Sequence, residues 1–316
     1  MISQRIDAIT QIPDAYRRSD PPAPRSVKVE LTGRCNYQCG FCALQARMKQ
    51  PVEDMRFPFF CRIVGEMREA GVEELGVFYI GESFMNPGLL TDAIWFAKYH
   101  AQFPYIFLTT NGSLATPARV QACMAAGLDS LKFSLNASDE EQFHRVMRVK
   151  PSLWEHALQN LAEARRIRDE GGYACKIYAS SIQFDGDQQA RMDALLDQRV
   201  RPYVDEHYWL PLYSMGNFAT RREKELGYKP IAGNQGRIGA LRDPLPCWSV
   251  FTEGHVTSSG MLSACCFDAS GQWTMADLTH VSFMEGWHAP KFQALRLAHL
   301  NRDVAHTLCA GCLAYA

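Results

Sequence analysis

The chain has 316 residues, of which 47% are hydrophobic and 21% are charged, and its formal net charge is −1. This composition is typical of a globular protein, and the near-zero net charge gives no electrostatic support for generic binding of nucleic acid. The N-terminal residues lack an apolar signal core, and the longest uncharged stretch, residues 101–118, contains turn residues, so we predict a cytoplasmic protein without membrane spans.

Residues 1–25 are polar and become rich in proline, and we expect an N-terminal leader on the surface there. Short apolar runs of strand length then alternate with amphipathic helical patterns. Six such runs lie at residues 27–31, 75–80, 105–109, 131–135, 176–182 and 208–212. They predict an α/β fold over residues 26–213, with six consecutive βα units in a parallel sheet or barrel and the chemistry at the carboxyl ends of the strands.

The amino-acid composition changes after the sixth predicted strand. Residues 214–246 are rich in glycine and proline, which predicts a connector. Residues 255–263 alternate like a β-hairpin with a Ser-Gly turn, and a helical pattern follows near residues 290–299. We therefore predict a small C-terminal domain over residues 247–316.

Eleven cysteines are the most informative residues of the chain. In a reducing compartment they favour metal or redox chemistry over disulfides. Cys61, Cys123 and Cys175 are scattered, and we predict that they belong to the core. The others form two sets, one near the N-terminus and one in the last quarter of the chain: Cys35, Cys39, Cys42, Cys247, Cys265, Cys266, Cys309 and Cys312.

The first set, Cys35-x3-Cys39-x2-Cys42, directly follows the first predicted strand. Three thiolates can hold a [4Fe–4S] cluster and leave one iron open, whereas a tetrahedral zinc site needs a fourth ligand. The alternatives are a zinc site completed from elsewhere and three cysteines crowded into one loop. The spacing, with the aromatic Phe41 before the last cysteine, resembles that of radical S-adenosylmethionine (SAM) enzymes.

The resemblance implies a fold and a chemistry. The fold is a partial (β/α)6 barrel, and the open iron binds the amino and carboxylate groups of SAM. One electron from the cluster then cleaves SAM to a 5′-deoxyadenosyl radical, which removes a hydrogen atom from the substrate. The implied partners are a small-molecule substrate and an external one-electron donor such as flavodoxin or ferredoxin.

Further residues match places where this family contacts SAM. Ile80-Gly81-Glu82-Ser83, at the end of the second strand, resembles the Gly-Gly-Glu motif that meets the amino group of SAM, although Ile80 departs from it. The alternative is that the polar residues among them only form ordinary turns and that Arg148 lies on the solvated surface. The resemblance implies SAM contacts for these residues of the cysteine loop and of the segments after strands three and four: Phe41, Asn111, Ser134, Asn136 and Arg148.

The second set reads Cys247-x12-Gly260-x4-Cys265, followed by Cys309-x2-Cys312. It resembles the Twitch domain, a short form of the SPASM domain. The resemblance implies an auxiliary [4Fe–4S] cluster held by Cys247, Cys265, Cys309 and Cys312, although four such cysteines could also hold zinc. Cys266 is left over: it is a packed thiol, the true ligand in place of Cys265, or a donor of a hydrogen atom.

A fully ligated second cluster favours electron transfer over substrate binding. The arrangement is similar to that of the family's aminocyclitol dehydrogenases, which implies oxidation of a sugar, polyol or aminocyclitol with the auxiliary cluster as electron acceptor. The alternatives are a radical epimerase that uses Cys266 as hydrogen donor, a peptide-modifying maturase, and a zinc protein without enzymatic activity. We expect the substrate near aromatic residues that lie along or just beyond the sixth strand, His207, Tyr208, Trp209 and Tyr213, with the glycine-rich loop 233–239 nearby.

Overall fold

One sheet of nine strands organises the computed structural model, which describes residues 1–46, 53–184, 188–217, 224–269, 271–312 and 314. The strands are β1 (Ser26–Val29), β2 (Glu74–Gly76), β3 (Tyr105–Thr110), β4 (Ser130–Ser134), β5 (Lys176–Gln183), β6 (Glu206–Pro211), β7 (Glu253–Val256), β8 (Met261–Ser263) and β9 (Thr274–Asp277). Their order in the sheet is β6-β5-β4-β3-β2-β1-β7-β8-β9.

The first six strands pair in parallel, each with its neighbour in the chain. This confirms the predicted α/β fold of consecutive βα units. Alternation along β1 shows why the sequence forms it: Val27 and Val29 are fully buried, while Lys28 points to the opposite face of the sheet. The carboxyl ends of β1 to β4 therefore meet at one edge, where the first cysteine set begins.

Helices connect and cover these strands. The α2 helix places Phe60, Ile63, Val64 and Met67 on its buried face, which is the predicted pattern. No helix in the described part of the chain is long and apolar enough to cross a membrane. The helices are α1 (Ile2–Thr10), α2 (Phe57–Glu69), α3 (Pro87–Trp95), α4 (Pro117–Ala125), α5 (Glu140–Met147), α6 (Ser152–Gly171), α7 (Gln188–Arg199), α8 (Ser249–Thr252), α9 (Phe283–Trp287) and α10 (Pro290–Leu300).

Helix α1 lies within residues 1–25, for which the sequence analysis predicts only a surface leader. Its Ile2 and Ile9 side chains are buried. Arg5 forms an ion pair with Glu74 at the start of β2, with a distance of 2.6 Å, and stacks on Tyr105 at the start of β3. Helix α1 therefore covers the amino ends of the strands.

The predicted C-terminal hairpin is present as β7 and β8, and it continues the barrel sheet. Strand β7 pairs in parallel with β1, with Val27 opposite Gly254, while β7 and β8 pair antiparallel. Helices α9 and α10 then return to the N-terminal segment, where Trp287 Nε1 donates to Pro22 O at 2.9 Å. These contacts hold the second cysteine set next to the barrel.

Candidate active site

The first cysteine loop and the ends of β2, β3 and β4 line one cavity of about 190 Å³, called here the upper cavity. This is the edge at which parallel βα units carry their chemistry. The structure brings most of the predicted SAM-site residues together there: Cys35, Cys39, Phe41, Cys42, Gly81, Glu82, Asn111, Ser134 and Asn136.

Two predicted SAM contacts do not line the upper cavity. Ser83 is buried beside the motif, and its Oγ donates to Val77 O at 2.8 Å. Arg148 follows α5 in a left-handed conformation, with a φ of 57°, and is exposed. The structure therefore gives neither side chain a place on the cavity wall.

Glu82 is a buried carboxylate held by three hydrogen bonds. Its Oε1 accepts from Phe84 N at 3.1 Å and from Thr110 Oγ1 at 2.9 Å, and its Oε2 accepts from Asn111 N at 2.8 Å. Burial raises the pKa of Glu82, while the backbone amides of Asn111 and Phe84 oppose that rise. This carboxylate fixes the segment after β2 against the end of β3 and offers negative charge to a cationic group in the cavity.

Gly81 lies against the backbone of the cysteine loop. A Cβ atom at this position would be 2.1 Å from Thr32 O and 2.9 Å from Arg34 O, so only glycine fits without displacement. Two hydrogen bonds hold the contact: Glu82 N donates to Arg34 O at 2.8 Å, and Gly81 N donates to Glu30 Oε1 at 3.1 Å. The loop that carries the three thiols is thereby joined to the motif that follows β2.

We expect Gly81→Ala to weaken SAM binding about tenfold or more, because overpacking against a backbone oxygen costs about 1–3 kcal/mol or displaces the loop. The SAM affinity of the reconstituted protein is the measurement. Gly65→Ala in α2 is the matched control, since nothing lies within 4 Å of its added Cβ. The control should keep its SAM affinity and gain about 0.5–1 kcal/mol of stability. Equal affinities of the two variants would contradict the prediction.

An amide network supports Cys35. Asn111 Nδ2 donates to Asn36 Oδ1 at 2.9 Å and lies 4.0 Å from Cys35 Sγ. Asn36 Nδ2 in turn donates to Ser113 Oγ at 2.9 Å. No motif marks Asn36 or Ser113; the only local signal is that Asn36 follows Cys35 and Ser113 follows Asn111-Gly112.

The first set of thiols fits an iron–sulfur cluster. Burial first, and then the Glu82 carboxylate, raise the pKa of Cys35 to about 12. Burial and the neighbouring thiolates of Cys42 and Cys35 raise the pKa of Cys39 well above its usual value. Three thiolates here therefore need a cationic partner, which iron supplies. Within the described residues, no three His, Cys, Asp or Glu side chains converge on a single metal ion.

The second set of cysteines surrounds Asn234 in the connector. Asn234 Nδ2 donates to Cys266 Sγ at 3.3 Å and lies 3.9 Å from Cys265 Sγ. The backbone oxygen of Asn234 lies 3.9 Å from Cys247 Sγ. A Cβ atom on Gly233 would be 2.5 Å from Cys312 Sγ. The glycine-rich loop that we expected near the substrate therefore also packs among these cysteines.

His299 is a third residue that no sequence pattern marks, and it links two predicted ligands. Cys247 N donates to His299 Nδ1 at 3.3 Å, so Nε2 carries the proton and donates to Cys309 Sγ at 3.4 Å. Burial lowers the pKa of His299 to about 4, which keeps the ring neutral. Burial, and then Cys247 and Cys312, raise the pKa of Cys309. A neutral donor to a ligand sulfur is an interaction that tunes an iron–sulfur cluster.

A second cavity of about 210 Å³, the lower cavity, lies inside the barrel. It is lined by α1, by inward-facing residues of the strands and by residues next to the second cysteine set. It shares Phe78 and Thr109 with the upper cavity. On the other side it is bordered by Asn234 and Cys266, whereas Cys265 does not line it.

The predicted aromatic residues near the sixth strand divide between two faces. Tyr208 and Tyr213 line the lower cavity. His207 and Trp209 line neither cavity, because successive residues of β6 point to opposite faces. His207 Nε2 lies 3.0 Å from Ser181 Oγ.

Comparison with protein families gives two matches. The radical SAM superfamily matches residues 29–174, and an iron–sulfur cluster-binding domain, SPASM, matches residues 247–313. The chain therefore carries a radical SAM domain followed by a SPASM domain, which confirms the resemblance that the cysteine spacings indicate. Together the domains imply SAM and two iron–sulfur clusters as cofactors, one for each cysteine set.

Known proteins of several activities resemble the chain. The S-adenosylmethionine-dependent nucleotide dehydratase RSAD2 of Oncorhynchus mykiss is 27% identical over 172 residues, which are 53% of this chain and 47% of that protein. The chain thus matches about half the length of this curated relative. Among solved structures, BtrN in complex with AdoMet and 2-DOIA has a TM-score of 0.59 at 13% identity and 92% coverage of both chains. Streptococcus suis SuiB bound to precursor peptide SuiA has a TM-score of 0.64 at 13% identity, with 87% of this chain and 67% of that chain covered.

Proposed function

We propose that this radical SAM enzyme with a SPASM domain oxidises an alcohol group of a small polar molecule to a ketone. One observation carries the proposal. The lower cavity meets the upper cavity at Phe78 and Thr109 and meets the second cysteine set at Cys266 and Asn234. A molecule in the lower cavity therefore lies between the two predicted cofactor sites.

The residues divide into three roles. Cys35, Cys39 and Cys42 would hold the SAM-binding cluster, and the Glu82 carboxylate would receive the amino group of SAM. Cys247, Cys265, Cys309 and Cys312 would hold the auxiliary cluster, with His299 donating to one of the ligand sulfurs. When bound, SAM and its cluster supply a 5′-deoxyadenosyl radical, and the auxiliary cluster supplies an acceptor for one electron.

The overall oxidation balances. The carbinol carbon of the substrate would lose one hydrogen atom to the 5′-deoxyadenosyl radical, which would become 5′-deoxyadenosine. The remaining carbon radical would pass one electron to the auxiliary cluster and the proton of its hydroxyl group to solvent. The product is a ketone, and the substrate has lost two electrons and two protons. Thr109 lines both cavities, and the reacting carbon would lie beside it to meet the radical.

Epimerisation is the second candidate, and the position of Cys266 favours it. Cys266 lines the lower cavity, where its thiol could return a hydrogen atom to the substrate radical on the opposite face of the carbon. A peptide substrate is a third candidate, because SuiB, which shares the fold, binds a precursor peptide. The volume of about 210 Å³ favours a small molecule instead, since it is below that of ordinary drug-sized pockets, roughly 300–1,000 Å³.

Turnover in deuterated water tests these candidates. The anaerobically reconstituted protein is given SAM, a one-electron reductant and a panel of sugars, polyols and sugar acids, and 5′-deoxyadenosine and products are analysed by mass spectrometry. For the dehydrogenase we expect a product two mass units lighter than its substrate, without deuterium on the reacting carbon. A product of unchanged composition with one deuterium on that carbon indicates the epimerase. Cleavage of SAM that is stimulated by peptides and by none of the small molecules would refute both the dehydrogenase and the epimerase.

A further inference from the structure

We infer that the lower cavity selects an organic anion, a carboxylate or a phosphate ester, through the ammonium group of Lys132. The inference deepens the proposed function, on which it rests for the identity of the lower cavity as the substrate site. It narrows the expected substrate class, because it favours acidic sugars and polyols over amine-bearing aminocyclitols.

The charge balance of the cavity is the first observation. Three of the cations that line it have a carboxylate of their own: Arg5 with Glu74 at 2.6 Å, Lys28 with Glu253 at 2.9 Å, and Arg237 with Asp7 at 2.6 Å. Lys132 also lines the cavity, and its Nζ donates to Tyr208 Oη at 3.1 Å. Among the described residues, no carboxylate is within ion-pair distance of Lys132, so the lining carries one surplus positive charge.

The position of Lys132 is the second observation. It lies on β4 directly opposite Thr109 of β3, which is part of the wall shared by the two cavities. Its Nζ is also 5.6 Å from the centre of the Tyr208 ring, and the side chain is half-buried. A half-buried ammonium with only a hydroxyl and a ring as partners is incompletely compensated. An anionic group of the ligand would supply the missing negative charge at Lys132, next to the shared residue Thr109.

The remaining wall suits the carbon skeleton of such a ligand. Tyr105 and Phe107 stack with ring centres 5.9 Å apart, and Phe78 meets Phe107 edge-on at 5.6 Å. Gly76 keeps this wall open, because a Cβ atom there would be 2.9 Å from Phe107 Cζ and 3.1 Å from Lys28 Cγ. The cavity thus offers an aromatic face along one side and an uncompensated cation at Lys132, and an amine would be repelled there.

Four six-carbon sugar derivatives test this selectivity: glucose, gluconate, glucose 6-phosphate and glucosamine. Their affinities for the reconstituted full chain with SAM are measured by calorimetry at constant ionic strength, which holds screening fixed. We expect one or both anions to bind about tenfold more tightly than glucose, the effect of one charge-assisted hydrogen bond. Glucosamine should bind most weakly. Lys132→Gln should abolish the preference and Lys132→Arg should keep it, while the exposed-site control Lys150→Gln should match the parent protein.

Three results overturn the inference: equal binding of anions and glucose, a preference that survives in Lys132→Gln, and binding of neither anion. Cleavage of SAM, measured after a one-electron reductant is added to the same samples, separates this inference from the proposed function. Cleavage of SAM without anion preference refutes only the role of Lys132. Anion preference without any cleavage of SAM refutes only the proposed function.

Discussion

Replacement of Cys39 by alanine is expected to abolish reductive cleavage of SAM and to remove about half of the iron of the reconstituted protein. Cys39 lines the upper cavity together with Cys35 and Cys42. Two backbone hydrogen bonds to the end of α5 hold the loop around it: Gln38 N donates to Met147 O at 3.1 Å and Gly40 N donates to Val146 O at 2.8 Å. The substitution therefore removes a ligand while the loop keeps its anchors.

Iron, sulfide and zinc contents and 5′-deoxyadenosine formation are the measurements. Cys61→Ala is the matched control, because Cys61 is half-buried on α2 and lines neither cavity. The control should keep its iron and its cleavage of SAM, with a change in the free energy of unfolding of about 1 kcal/mol or less. Unchanged cleavage of SAM in Cys39→Ala would refute the assignment of the first cysteine set. About four irons and one zinc in the parent protein would remove the electron acceptor and count against the dehydrogenase.

The positions of the strands and of the cysteine loop could be predicted because both depend on local properties of the chain. Alternation of Val27, Lys28 and Val29 identifies β1 within a few residues, and the three thiols that follow it need only the short loop to meet. The same locality places Gly81, Glu82 and Asn111 at the upper cavity, since Asn111 directly follows β3 and the other two lie in the short segment after β2.

The residues that the sequence analysis misses depend on contacts between distant parts of the chain. Glu30 accepts from Gly81 N through Oε1 and from Ser258 N at 3.2 Å through Oε2, and so joins the first strand, the SAM motif and the C-terminal hairpin. No local pattern marks that role. Arg148 shows the converse, because following a strand did not suffice: the helix α5 ends at this residue in a left-handed turn, and the side chain is exposed.

Replacement of Cys265 and replacement of its neighbour Cys266 are expected to have different effects on the iron content of the protein. The backbone oxygen of Cys265 accepts from Tyr79 Oη at 2.7 Å. The hydrogen bond with Cys266, followed by burial and the neighbouring Cys247, raises the pKa of the Cys265 thiol. Cys266 instead lines the lower cavity. We expect Cys265→Ala to lose about half of the iron and Cys266→Ala to keep all of it, as measured by iron and sulfide content.

Product analysis of the same pair of variants separates the two candidate reactions. In a dehydrogenase the Cys266 thiol takes no part in the oxidation, so Cys266→Ala should still form the ketone. In an epimerase the substrate radical would lose its hydrogen donor, so Cys266→Ala should cleave SAM without forming the epimer. Loss of iron in Cys266→Ala but not in Cys265→Ala would reverse the assignment of the ligand. That reversal would leave the lower cavity without a free thiol from this pair, because the ligating sulfur would have no hydrogen atom to give, and oxidation would be the reaction that its geometry supports.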